Sequence, residues 1–338
     1  MNNHLSQANK AIILPTTAVG FQPKSGVDGL KNDQQLAQEN IQFIDYRSIE
    51  WPRVQRTRCL IHQRFHYDYP GPVRELRHRL VVVPTDQHGY QRLCDYQLNV
   101  SVPALSQQCE LDNFGNRIFQ FHIAQVEANL DFEVWTALEQ SIQPATRPLV
   151  PAEQAHHYLM PTRLTTADAT IDAIAHKLSL QHQAPAELAE AINDWTFLAM
   201  RYARGVTKVN TTAAEALALG AGLCQDYSHI MLAVCRAAGL PARYVSGHLL
   251  GEGASHAWVE VLLPSQQPGC LEAWPLDPTN HCQARNKYIT IAVGRDYADV
   301  APTSGSFLGA YPGHLTVSKR AGLTAVEYTD GQVVSLKS

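Results

Sequence analysis

The sequence predicts an α+β protein in which an antiparallel β-sandwich precedes helices packed on a second antiparallel sheet. Three observations predict it. Apolar residues alternate with period two from about 50 to 140, a stretch with three prolines at 141–151 breaks the pattern, and beyond it the apolar period becomes helical before strands return. At 338 residues the chain can hold more than one core, because single cores rarely grow past about 250 residues. The expected organisation is a flexible arm over 1–45, a β-sandwich over 46–145 and a second unit over 150–338.

Residues 1–45 are polar and aperiodic and offer no face to bury. From Cys59 to Tyr69 the residues Cys59, Ile61, Phe65, Tyr67 and Tyr69 share one parity, opposite Arg58, His62, Arg64, His66 and Asp68. That is the signature of a half-buried strand. Further strands are expected in RELRHRLVVVP, in YQRLCDYQLNVSV, in RIFQFHIAQV after the turn DNFGN, and in NLDFEVWTAL. In the second unit, AELAEAINDWTFLAMRYA (186–203) carries a helical stripe of Leu188, Ile192, Trp195, Leu198 or Ala199, and Tyr202. Thr212 and Glu215 fit a capping box opening AAEALAL. Tyr227, Ile230, Met231, Val234, Cys235 and Ala238 define the sharpest helix, stopped by Gly239 and Pro241. The strands ARYVSGHLL and HAWVEVLL meet at the turn GEG, YITIAV reads as β, and TAVEYTDGQVVSL reads as a hairpin on Asp330 and Gly331.

Composition narrows the function. Lys and Arg total 27 against 31 Asp and Glu, a net charge of −4, so no single-sign field invites nucleic acid or an acidic membrane surface. The seven cysteines are an odd, irregularly spaced set, unlike the frameworks of small secreted domains. With no basic leader region and no membrane-length apolar run, a cytoplasmic location is expected. Neither CxxC nor HExxH occurs, GEGASH lacks the dinucleotide fingerprint, and no phosphate loop is present, so neither a metal nor a cofactor is expected.

The reactive group with the best setting is Cys224. It follows a glycine loop and opens the sharpest helix, where unpaired N–H groups and the positive end of the macrodipole favour a thiolate. A lone cysteine is more often a small buried hydrophobe, and Cys235, on the apolar stripe, reads that way. What changes the balance is His256 at the start of HAWVEV and Asp277 at the end of WPLDPTN. Thiol, imidazole and carboxylate are the parts of a nucleophile, a general base and its orienting acid. Gln225 and Asp226 follow the cysteine, Asp226 more readily as a partner of the helix dipole than as a substrate ligand. Trp258 and Trp274 flank the histidine and aspartate and could wall a cleft as readily as pack in a sheet. Trp195 and Tyr202 stand as candidates for an oxyanion-hole side chain, and His248 and Asp296 as weaker candidates for reaching the cleft.

Taken in order, GLCQDYSHIMLAVCRAAGLPARYVSGHL, SHAWVEV and WPLDPTN resemble the transglutaminase-like superfamily of bacterial cysteine enzymes, and GRDYADVAPTSGSFLG at 294–309 is similar to its conserved tail. The preceding strands resemble the β-rich N-terminal domain that often accompanies this core, so the likeness spans about 50–318, while SKRAGLTAVEYTDG departs from the pattern. The resemblance implies a papain-like arrangement of a central helix against an antiparallel sheet, with Cys224 as nucleophile, His256 as base and Asp277 as orienting acid. The expected activity is hydrolysis of a peptide or protein amide through a thioester. The alternatives are acyl transfer from glutamine to an amine, or an inert binding protein on the same fold.

Overall fold

The computed structural model describes residues 42–142 and 146–336, together with the backbone of Ile12 and Ile13. That dipeptide pairs antiparallel with Ser106–Leu111; the rest of the expected arm lies outside the described residues up to 41.

The alternating segments fold as antiparallel strands in two sheets. One sheet runs in the order Ser106–Leu111, Arg117–Val126, Val73–Leu80, Thr303–Leu308; the other runs Val333–Ser335, His314–Tyr328, Val54–Asp68, Asn129–Ser141, Gln91–Val100, Gln87–His88. Phe65, Leu76, Leu80, Phe119, Phe121, Leu130 and Phe132 fill the space between them. The period-two pattern is what permits this, since each strand offers one apolar face.

The C-terminal strands depart from the expected 150–338 unit. Thr303–Leu308 pairs with Val73–Leu80, and His314–Tyr328 pairs with Val54–Asp68 along its whole length. Without them both N-terminal strands would present open edges, with unpaired backbone groups and a route to aggregation. The chain thus crosses to the second unit and returns to close the first.

Between these crossings the chain builds a sheet in the order Cys282–Gln283, Cys270–Asp277, Ser255–Pro264, Ala242–Leu249, Tyr288–Gly294, all antiparallel. Helices Cys224–Ala237 and Pro185–Ala199 pack against it, and Ala169–Gln181 and Ala213–Leu219 pack on the Cys224 helix. The Cys224 helix is enclosed by its neighbours: every residue from Asp226 to Arg236 is buried. Gly239 ends it with φ +79°, a conformation that favours glycine. The Thr212–Glu215 capping box forms as the spacing predicts. The helix expected over 186–203 stops at Ala199 instead, and Arg201–Tyr202 pairs in parallel with Ala221–Gly222. Tyr202 therefore leaves the helical stripe, and Leu198, placed on it by spacing, is 78% exposed. A non-local pairing has overridden local helix propensity there.

The two units lock together at Tyr288–Gly294, the edge strand of the second sheet. Its outward backbone groups meet side-chain amides of the sandwich rather than another strand. Gln91 donates to the Thr290 carbonyl at 2.7 Å and accepts from its N–H at 2.9 Å; Asn116 does the same to Val293 at 2.7 and 2.8 Å; Gln140 donates to the Tyr288 carbonyl at 2.8 Å. All three amides are buried. A buried backbone group left without a partner is costly, so these amides stand in for the missing strand. Replacing Gln91 with Leu keeps the volume and removes both bonds. Urea unfolding of Gln91→Leu is expected to show a loss of about 1–3 kcal/mol, and a change below about 0.5 kcal/mol would contradict this role.

Candidate active site

The last residue of Cys270–Asp277 and the second residue of Ser255–Pro264 lie at the same end of the sheet, where the Cys224 helix begins. His256 Nε2 lies 2.7 Å from Asp277 Oδ2, and Cys224 stands near enough to His256 to favour the charged imidazole. With Nε2 engaged by the carboxylate, Nδ1 is the nitrogen left to the sulfur. The fold thus brings together Cys224, His256 and Asp277, which are 21 to 53 positions apart in the chain.

Asp277 is 0% exposed. Burial by itself pushes a carboxyl group up, but here the donors around it win and hold it below its usual 3.8. His256 approaches Oδ2, to which Asn280 Nδ2 donates at 2.8 Å and the Tyr288 hydroxyl at 2.7 Å. Oδ1 accepts from the backbone N–H groups of Thr279 at 2.8 Å and Asn280 at 3.1 Å. This last pair is an Asx-turn, the local structure that an aspartate followed by a turn favours. Burial likewise lowers an imidazole, yet the bond to Asp277 and the neighbouring Cys224 outweigh it and raise His256 from 6.5 to about 10. Glu252 adds a nearby charge, its Oε2 3.8 Å from Nδ1.

Two close approaches seat the imidazole. Gly247 pairs with His256 across the sheet, and a Cβ at Gly247 would run into the Ile289 carbonyl and the Trp258 ring. Trp258 is buried, edge-on to Tyr288 at 5.3 Å and nearly parallel to His256 at 6.3 Å. It packs behind the histidine rather than lining an open cleft.

The neighbours of the cysteine have distinct places. Asp226 is buried and its Oδ2 accepts from the Leu223 N–H at 2.7 Å and from the Thr207 hydroxyl at 2.7 Å. It caps its own helix and ties down the 201–211 segment. Gln225 reaches the Val209 carbonyl at 3.0 Å. Tyr202 lies opposite Gly222, two residues before Cys224.

Other candidates are held elsewhere. Trp274 donates to Glu272 at 3.1 Å under the Arg147 guanidinium, 4.0 Å from the ring. Trp195 is half-buried against the helix-side core. Among the described residues neither makes a polar or ring contact with Cys224, His256 or Asp277. His248 is buried and pushed down to about 3 by desolvation, and Asp296 caps the turn Tyr297–Val300 through the Ala298 N–H at 2.7 Å. Sequence reasoning missed Asn280 and Tyr288. The DPTN turn signals the first, but nothing local signals the second, which reaches Asp277 only because an edge strand brings it there.

Residues 172–273 match the Transglutaminase-like superfamily, and residues 59–139 match the Bacterial transglutaminase-like N-terminal region. An uncharacterized protein of Mycobacterium tuberculosis is 29% identical over 285 residues, covering 76% of this chain and 90% of its own. An uncharacterized protein of Mycobacterium leprae is 28% identical over 228 residues, covering 62% and 79%. The fold is similar to a chain solved as "a Putative Cysteine Protease from Cytophaga hutchinsonii", with TM-score 0.66 at 22% identity over 81% of this chain and 93% of that one. Among the described residues no helix is long and apolar enough to cross a membrane.

The His256 shift fixes a pH dependence. A folded-state value of about 10 against 6.5 means that the folded protein binds this proton more tightly. The resulting stability is complete below pH 6.5 and is lost as pH rises toward 10. The unfolding free energy of the wild type minus that of His256→Gln is expected to shrink steadily across this window in urea titrations. A difference that stays flat or grows there would refute the assignment.

Proposed function

We propose that this protein, a transglutaminase-like core behind a bacterial transglutaminase-like N-terminal region, is a cysteine hydrolase of peptide or protein amides. The observation that carries the reading is the His256–Asp277 hydrogen bond at 2.7 Å with Cys224 beside the imidazole. His256 takes the Cys224 proton, and the sulfur attacks the amide carbonyl to give a tetrahedral oxyanion. The backbone N–H of Cys224, at the helix start, is the donor for that oxyanion in this reading. The carbon–nitrogen bond then breaks, and the imidazolium delivers its proton to the departing amine. A thioester remains on Cys224. Water, deprotonated by His256, attacks it and releases the acid and the thiol. Asp277 holds the tautomer and balances the imidazolium throughout. The seven cysteines, all free thiols, support a cytoplasmic setting.

The superfamily match keeps a second reading in view, transfer of the acyl group to an amine. Both share the thioester and differ only in the second nucleophile. An inert scaffold is disfavoured because the three reactive groups are present and lie together.

Iodoacetamide at about pH 6 is expected to alkylate Cys224 well ahead of the other six thiols, read by peptide mapping. Burial pushes Cys59 and Cys235 up to about 12, whereas Cys224 has a base beside it. Uniform labelling would sink the catalytic reading. With a glutamine-containing peptide and a labelled amine, Cys224→Ala should lower turnover by about a thousandfold or more. Released ammonia or cleaved peptide without label marks hydrolysis, and label retained on the peptide marks transfer.

A further inference from the structure

The segment 201–211, RYARGVTKVNT, carries Arg201, Arg204 and Lys208 and not one acid, in a chain where acids outnumber bases by 31 to 27. It also exposes large apolar groups: Tyr202 at 52%, Val206 at 46% and Val209 at 62%. Among the described residues none of its three cations is paired with a carboxylate.

This segment is fastened to the first turn of the Cys224 helix. Arg201 and Tyr202 pair with Ala221 and Gly222, and the Ala203 N–H donates to the Gly222 carbonyl at 2.9 Å. The Thr207 hydroxyl donates to Asp226 at 2.7 Å, and Gln225 donates to the Val209 carbonyl at 3.0 Å. Gly222 makes room for this arrangement, because a Cβ there would collide with the Asp226 carboxylate. The Arg201 charge is felt by Tyr227, one turn along from Cys224. A cationic and apolar ridge is therefore held in register with the nucleophile. Beside the imidazole the charge reverses, with Glu252 Oε2 3.8 Å from His256 Nδ1.

Chemistry orients a substrate on this pattern. The departing amine takes its proton from His256, so that half lies on the Glu252 side. The acyl half stays on the sulfur, beside the 201–211 ridge. We infer that the acyl donor is an acidic peptide segment, whose carboxylate and apolar side chains on the acyl side of the scissile bond lie across Arg201, Tyr202, Arg204, Val206 and Lys208. This inference rests on the hydrolase reading of Cys224 and adds the class of its substrate.

Two acetylated peptidyl vinyl sulfones test it, alike except for Glu-Leu or Lys-Leu on the acyl side. Each alkylates the sulfur without regard to whether water or an amine would later accept an acyl group. Intact-mass kinetics on the full chain should show the acidic probe labelling Cys224 faster, on the order of tenfold at low salt. The advantage should fall toward parity at high salt and in the double variant Arg204→Glu with Lys208→Glu, whose unfolding transition should match the wild type. Equal rates, or a faster basic probe, would overturn the inference. So would failure of both probes while iodoacetamide still selects Cys224, a result that leaves the hydrolase reading standing. If iodoacetamide shows no selectivity either, both fall.

Discussion

A carboxylate with no solvent exposure must be kept charged at the bottom of the site, and much of the molecule is arranged to do it. Taking Asp277 out of water opposes its ionisation. Neutralising it would remove the partner that raises His256. The donors that prevent this come from three separate places: the imidazole on a neighbouring strand, the turn 277–280, and Tyr288 on the far edge strand. A charge so deeply buried is tolerated only because several of its lone-pair positions are filled.

The Tyr288 contribution explains why the sandwich and the helical unit cannot be considered separately. Tyr288 begins the strand whose outer edge is covered by Gln91, Asn116 and Gln140. The same stretch of backbone that the sandwich amides grip thus delivers the phenol to Asp277. The apolar core is continuous across the junction as well, with Val54, Ile61, Leu138, Leu323 and Val326 in one cluster with Ile230, Val234 and Val259. The β-rich half therefore supports the site through a bonded path of a few side chains.

Near Cys224 the division of labour differs. Asp226, which would be the obvious second acid of a reactive centre, spends its Oδ2 on the helix start and on Thr207. It fixes the cationic segment in place and leaves His256 as the titratable side chain beside Cys224. The packing tryptophan, Trp258, and the missing side chain at Gly247 restrict the imidazole from behind. A site of this kind is preorganised by close packing rather than by flexible loops.

What the sequence by itself determined is what depends on near neighbours in the chain. Period-two alternation made the strands of the sandwich, the capping box at Thr212 set a helix start, and the glycine and proline at 239 and 241 ended the Cys224 helix. The positions of Cys224, His256 and Asp277 at element ends were legible because each adjoins its own turn signal. Only the tertiary structure decided the rest. The helix stopped at Ala199 because Arg201 and Tyr202 gained strand partners some 20 residues away. His314–Tyr328 joined Val54–Asp68 because an open edge there demanded a partner. Tyr288, Gln91 and Asn116 acquired their roles from groups 11 to 199 residues distant. Local rules fix backbone conformation and which face is apolar; they carry no information about which distant polar group will be buried opposite which, and hydrogen-bond satisfaction in the folded core settles that.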